Sequence, residues 1–135
     1  MAAESDDVNS AFDLIAQTEE RLSAAGFKEG YETGLIEGAQ EGFHLGYHRG
    51  AELAAELGFY AGVVETWLFL RPDVLSVKAR QSLLKVLDLL NKFPKSNVDD
   101  IDILASVDMI RVSFRRACTF LKKNISYPEA SKLSF

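Results

Sequence analysis

His44 and His48 are four residues apart, and no other pair in this chain comes closer to the spacing of metal ligands. Residues four apart lie on one face of a helix, so both imidazoles could reach one ion. The sequence HLGYH lacks the glutamate of a zinc-protease helix, however, and no third ligand is evident. We therefore predict no metal here. The alternative hypothesis of an enzyme would predict tightly bound metal at this pair, which elemental analysis would detect.

The other reactive side chains are isolated from one another in the sequence. The one cysteine, Cys118, lies in an apolar helical pattern, which predicts a buried structural thiol. A single thiol can form no internal disulfide and cannot alone hold a zinc ion or an iron–sulfur cluster. No nucleophile is paired with a base. We predict that the chain is not an enzyme and binds no cofactor.

The glycines form the strongest pattern in the chain. All 9 fall on one progression with a step of four, and an alanine fills the single missing slot. We call these positions the ladder: Gly26, Gly30, Gly34, Gly38, Gly42, Gly46, Gly50, Ala54, Gly58 and Gly62. Small residues at this spacing let two helix backbones approach closely. The ladder therefore predicts a helix that packs against another helix.

Glycine also weakens the helix that contains it. In helix interiors the 9 glycines cost roughly 8 kcal/mol relative to alanine, which is comparable with the whole stability of a typical domain, about 5–15 kcal/mol. Packing must offset this loss, so we expect burial of the residues that follow the rungs. The aromatic ones, which we call the ridge, are Phe27, Tyr31, Phe43, Tyr47 and Phe59. The next column, which includes Glu52 and Glu56, is mostly polar and is predicted to face solvent.

The geometry of the ladder limits what can pack on it. Each rung is rotated by about 40° from the previous one, so one straight partner cannot contact every rung. Either two helices wind right-handedly about each other, or different segments meet different neighbours. Packing within the chain stays open, although a separate chain is favoured.

Helical patterns cover the rest of the sequence, and no strand pattern competes with them. We predict an all-α fold in which a long glycine-ladder helix packs with shorter helices. A short amphipathic helix is predicted over 8–22, and Gly26 could either end it or continue it into the ladder. Proline disfavours a helical residue before it, so the ladder helix is predicted to end before Pro72. A third helix is predicted over 74–92, and a fourth runs from a cap at Asn97 to Lys123. The fourth carries an apolar stripe at helical spacing, formed by Ile103, Val107, Ile110, Phe114, Ala117 and Leu121.

These helices predict the organisation of the chain. Residues 1–7 are polar and are expected to be a flexible N-terminus. Residues 8–123 are predicted to form one helical domain, with the glycine repeat at 26–62. Residues 124–135 are expected to be a flexible C-terminal recognition tail.

The net charge of −5 hides an asymmetry. Residues 1–65 hold 13 acidic and 3 basic side chains, a balance of −10, whereas residues 66–135 hold 7 acidic and 12 basic, a balance of +5. The acidic half argues against nucleic acid, and the basic half is too dilute to indicate it. Charges recur through Glu56, which argues against a membrane-spanning helix. The first ten residues carry no signal-peptide pattern, so an intracellular location is expected.

The last three residues form a second candidate binding element. Leu133 and Phe135 are apolar, flank Ser134 and end a polar segment with no core to join. A terminal carboxylate beside an aromatic ring is a common handle for peptide capture. These residues therefore predict a recognition motif.

The ladder resembles the deca-GX3 motif, a tenfold glycine-x-x-x repeat, and the chain looks like the oral-cancer-overexpressed protein 1 family, which is linked to ribosome biogenesis. The resemblance covers most of the chain. It includes the acidic Phe12-Asp13 segment, the glycine-aromatic steps of GFKEGYETG, the Lys92-Phe93-Pro94 turn and the Leu-Ser-Phe ending. Ala54 departs from the motif by a single methyl group.

The resemblance implies a non-enzymatic adaptor. Such proteins pair through the glycine repeat with a second deca-GX3 protein. The heterodimer brings the iron–sulfur ABC ATPase of ribosome recycling to the cytosolic iron–sulfur targeting complex. Docking on that complex is assigned to a C-terminal tripeptide of Leu/Ile/Met, Asp/Glu/Ser and Trp/Phe, which Leu133, Ser134 and Phe135 fit. The expected location is the cytoplasm, with the nucleus as a second one. The alternative is a self-associating helical scaffold, whose homodimer sedimentation would detect.

Overall fold

The fold consists of three α-helices joined by short connections. The computed structural model describes residues 2–129, and it describes side chains from Glu4 onward. The helices are α1 (Ala2–Leu70), α2 (Val77–Lys92) and α3 (Ile103–Leu121), with one 3-10 turn at Pro72–Val74. No strand occurs within residues 2–129, and the all-α prediction is confirmed.

Helix α1 begins earlier than predicted and does not end at Gly26. It already includes residues 2–7, where a glutamate in the first turn complements the positive end of the helix dipole. No glycine has a positive φ, so none adopts the left-handed backbone of a helix-terminating glycine. The alternatives at Gly26 are thereby decided in favour of one continuous helix, which ends before Pro72 as predicted.

The chain divides into two compact units where the sequence predicted one helical domain over 8–123. The first extends to His48 and the second begins at Arg49. In the first unit, every described side chain from Glu4 to His48 is exposed. A single helix has no second apolar surface to bury, so this unit contains no core.

The second unit holds the core. From α1, Leu57, Tyr60 and Val64 are buried together with Leu83 of α2 and Phe114 of α3. The rings of Tyr60 and Phe114 lie 4.4 Å apart. An apolar side chain buried in this way contributes about 1.5–3 kcal/mol, so these contacts fix the end of α1 against the other two helices.

Helix α1 also has the length and composition of a membrane-spanning helix. Its most apolar 18-residue window has a mean hydropathy of 1.3, and 28% of that window is buried inside the protein. The buried hydrophobic residues of α1 belong to the core with α2 and α3.

The N-terminus of α3 is capped by Asp102, so the predicted cap at Asn97 is wrong. The Asp102 carboxylate accepts a hydrogen bond from the Ala105 backbone N–H at 3.0 Å, and α3 begins at the next residue, Ile103. Residues 97–102 form no helical turn and contain a bend at 99–101. Ser76 caps α2 in the same way, through the Ala79 N–H at 3.1 Å.

The cap makes a first prediction. Asp102→Ala should lower the free energy of unfolding by about 1 kcal/mol, because an N–H of the first turn loses its acceptor. Denaturant unfolding of the purified chain measures the change. Asn97→Ala is the matched control and should leave the midpoint unchanged. An equal loss in both variants would contradict the assignment.

Candidate partner-binding surface

The ladder is open along its whole length. A Cβ atom built on each of the nine glycines meets no atom within 4 Å apart from those of its own helical turn and its chain neighbours. Ala54, in the remaining slot, is exposed. The sequence left open whether the glycines pack against another part of the chain. Within residues 2–129, no such packing is observed.

In the first unit the ridge is as exposed as the rungs beside it. Phe27 and Phe43 are 76% and 77% exposed. Phe27 stacks on Tyr31 and Phe43 stacks on Tyr47, each with ring centroids 6.4 Å apart. Aromatic side chains carry large apolar surfaces, and monomeric proteins rarely leave contiguous apolar surface of this kind uncovered. This face has the chemistry of an interface.

In the second unit the rungs line the floor of a groove. Gly50, Ala54 and Gly58 border a space of about 570 Å³ together with side chains from the end of α2. Leu87, Leu90 and Phe93 are among these side chains. No pattern in the sequence indicated that they belong to the candidate surface, because their place beside α1 depends on tertiary packing. A partner helix on these rungs would meet an apolar wall as well as a glycine floor.

Phe59 differs from the other ridge residues. It is half-buried against the core, and its ring lies 5.5 Å from that of Tyr127. Together with Gly58 and Gly62 it lines a second, shallower cleft of about 420 Å³. Phe59 thus shapes the candidate surface while it also contributes to the fold.

Glu56 was predicted to face solvent, and this prediction is wrong. Its side chain is only 1% exposed. One carboxylate oxygen accepts hydrogen bonds from Arg111 Nε and from the Tyr60 hydroxyl, both at 2.7 Å. The other accepts from Arg111 Nη2 at 2.8 Å. The carboxylate is buried because this bidentate pairing satisfies it.

The same contacts shift the pKa values of the group. Hydrogen bonds from Arg111 lower the pKa of Glu56 below its usual value, and this effect exceeds the opposing effect of burial. Burial, with the bond to Glu56, raises the pKa of the Tyr60 hydroxyl. The group therefore carries an ionised carboxylate and a neutral phenol at neutral pH, and it ties α1 to α3.

Cys118 and the pair of histidines are the potentially reactive side chains that the sequence singled out. Cys118 is buried, which confirms the structural thiol, and burial raises its pKa. The imidazole rings of His44 and His48 lie 4.5 Å apart on the exposed helix. Across the part of the chain that the structure describes, no cluster of three or more His, Cys, Asp or Glu side chains could hold a metal ion.

The predicted recognition motif, Leu133, Ser134 and Phe135, lies outside the described residues. It stays a prediction, as does the family resemblance. Comparison of the chain with protein-family models, curated proteins and solved structures gave no match.

Proposed function

We propose that this protein is a non-enzymatic adaptor whose glycine ladder binds a second deca-GX3 protein. The observation that carries the proposal is the open face of α1 between Gly26 and Tyr47. Its small residues recur every fourth position with nothing packed on them, and exposed aromatic rings stand beside them. A helix loses stability through so many glycines, and close packing against another helix supplies a compensating gain.

Charge favours a different chain over a second copy. Residues 1–65 hold 13 acidic and 3 basic side chains, a balance of −10. Two copies paired along this segment would bring like charges together in either orientation, which opposes association. A partner with a less acidic ladder avoids this repulsion. A stable homodimer in sedimentation experiments would instead favour the self-associating scaffold.

The rest of the proposed function follows from the family resemblance. The heterodimer would link the iron–sulfur ABC ATPase of ribosome recycling to the cytosolic iron–sulfur targeting complex, and so support ribosome biogenesis and translation. The last three residues would be bound by that targeting complex. We expect the adaptor to act in the cytoplasm and nucleus, and to bind neither nucleic acid nor a membrane.

Deleting residues 133–135 should separate the two proposed contacts. The variant should still co-purify with the second deca-GX3 protein, because the ladder is unchanged, but it should no longer capture the targeting complex in a pull-down. Phe135→Trp is the matched control and should retain capture, since the resembled motif accepts either aromatic residue. Persistent capture by the deletion variant would show that the complex is held elsewhere.

A further inference from the structure

A second uncovered groove lies between α2 and α3 and belongs to neither the ladder nor the core. It encloses about 760 Å³. Met109 and Val112 supply apolar side chains to its lining, and they are 57% and 58% exposed. Exposed apolar side chains in a concave surface mark an interaction site more often than scattered ones do.

The rim of this groove is positively charged. Lys78 and Lys85 on α2 and Arg116 on α3 line it, and none of the three forms an ion pair within the described residues. The acidic residue in the lining, Asp108, is already engaged, because its carboxylate accepts a hydrogen bond from Arg111 Nη1 at 3.1 Å. The cations therefore remain available to an external anion.

We propose that this groove binds an acidic amphipathic helix of a partner protein. Its apolar stripe would lie on Met109 and Val112, and its carboxylates would pair with the cations of the rim. Lys78 and Lys85 are seven residues apart, about 10 Å along α2, which matches acidic residues spaced by two turns on the bound helix. A helix laid between two others by ridges and grooves is a common recognition mode.

The shape and chemistry favour a helix over other anions. Single-stranded nucleic acid needs a series of aromatic platforms and a dense row of cations. This groove offers one aromatic ring, Phe120, and three separated cations. A bilayer surface is too broad to enter a space between two helices. The inference does not depend on the proposed ladder contact, since no rung lines this groove.

The chain itself supplies a probe with the required chemistry. Residues 4–22 carry Asp6, Asp13 and Glu20 at seven-residue spacing, beside the apolar Phe12 and Ile15. A fluorescent peptide of this sequence, titrated with the full chain, should bind saturably at low salt and more weakly as salt is added. The combined substitution Lys85→Glu/Arg116→Glu should weaken binding about tenfold, because two attractions become repulsions.

Matched variants make the outcome specific. Arg80→Glu reverses one charge on α2 away from the groove, half of the combined change, and should leave peptide binding unchanged. Met109→Ser removes an apolar side chain from the groove and should weaken peptide binding. Gly42→Leu changes only the ladder and should leave peptide binding unchanged. The groove hypothesis is therefore tested separately from the ladder hypothesis. Circular dichroism should show that each variant keeps the helical content of the unmodified chain.

Several results would overturn the proposal. One is no saturable binding at millimolar peptide, and another is binding that the charge reversal leaves intact. Tighter binding of a single-stranded RNA oligomer or of phosphatidylserine vesicles, lost on the same charge reversal, would assign the cations to nucleic acid or to membranes. A salt-sensitive homodimer of the full chain, abolished by Lys85→Glu/Arg116→Glu, would make the occupant a second copy.

Discussion

Gly42→Leu should abolish co-purification of the second deca-GX3 protein and leave the isolated chain at least as helical as before. Outside the backbone of its own helical turns, no described residue lies within 4 Å of the added Cβ position, so the Cβ itself meets no clash. Leucine also has a higher helix propensity than glycine, by roughly 0.8 kcal/mol. In the proposed heterodimer the same side chain would hold apart two backbones that must approach closely.

Two controls test whether bulk at the rung is responsible. His44→Leu adds an apolar side chain about 200° around the helix, away from the rung, and should preserve the heterodimer. Gly42→Ala should also preserve it, because alanine already occupies the slot at position 54. Circular dichroism measures the isolated chain, and coexpression followed by affinity purification measures the pair. Equal recovery of the partner with Gly42→Leu would exclude this rung from the contact.

The second large effect is expected in the buried ion pair. Arg111→Met should lower the free energy of unfolding by about 3 kcal/mol, because it leaves a buried carboxylate without its counter-charge. Among the described residues, Glu56 would then keep only the hydroxyl of Tyr60 as a hydrogen-bond partner. Denaturant unfolding measures the loss. The combined substitution Glu56→Gln/Arg111→Met should recover a large part of it, since no unpaired charge is then buried.

The pH dependence of stability should change sign in the same variant. In the natural chain the pKa of Glu56 is below its usual value of 4.5, so the unfolded state binds more protons in that range and acidification removes stability. Without Arg111, burial should dominate over the remaining hydrogen bond from Tyr60, and the pKa of Glu56 should rise above that value. The folded state then binds the additional proton, and Arg111→Met should be stabilised as pH falls from neutral toward the usual carboxyl range. Parallel pH profiles of the two proteins would contradict this account.

Helical periodicity was sufficient to predict much of the fold. The stripe of α3 that includes Val107, Ile110, Phe114 and Ala117 was correctly identified, and these residues are buried. The spacing of apolar residues within a helix decides which side of it is apolar, so such stripes can be predicted without information about the rest of the chain. The break before Pro72 was predictable for a similarly local reason.

Features that depend on distant residues were not predictable. Glu56 lay in a polar column, and only Arg111, 55 residues later, explains its burial. The regular spacing of the ladder identified a candidate surface, but the wall of Leu87 and Phe93 beside Gly50 is formed by tertiary packing. Asn97 and Asp102 are both good caps, and their residue types alone did not decide between them.

The exposed face of α1 also has a consequence for the abundance of this protein in cells. Phe27, Phe43 and their neighbours give a chain without its partner the hydrophobic surface that chaperones and quality-control proteases recognise. Binding of the proposed partner would cover that surface and remove it from their reach. Heterodimer formation would therefore determine how long this protein survives in the cell. Chains in excess over the partner would be degraded until the two proteins were present in equal amounts.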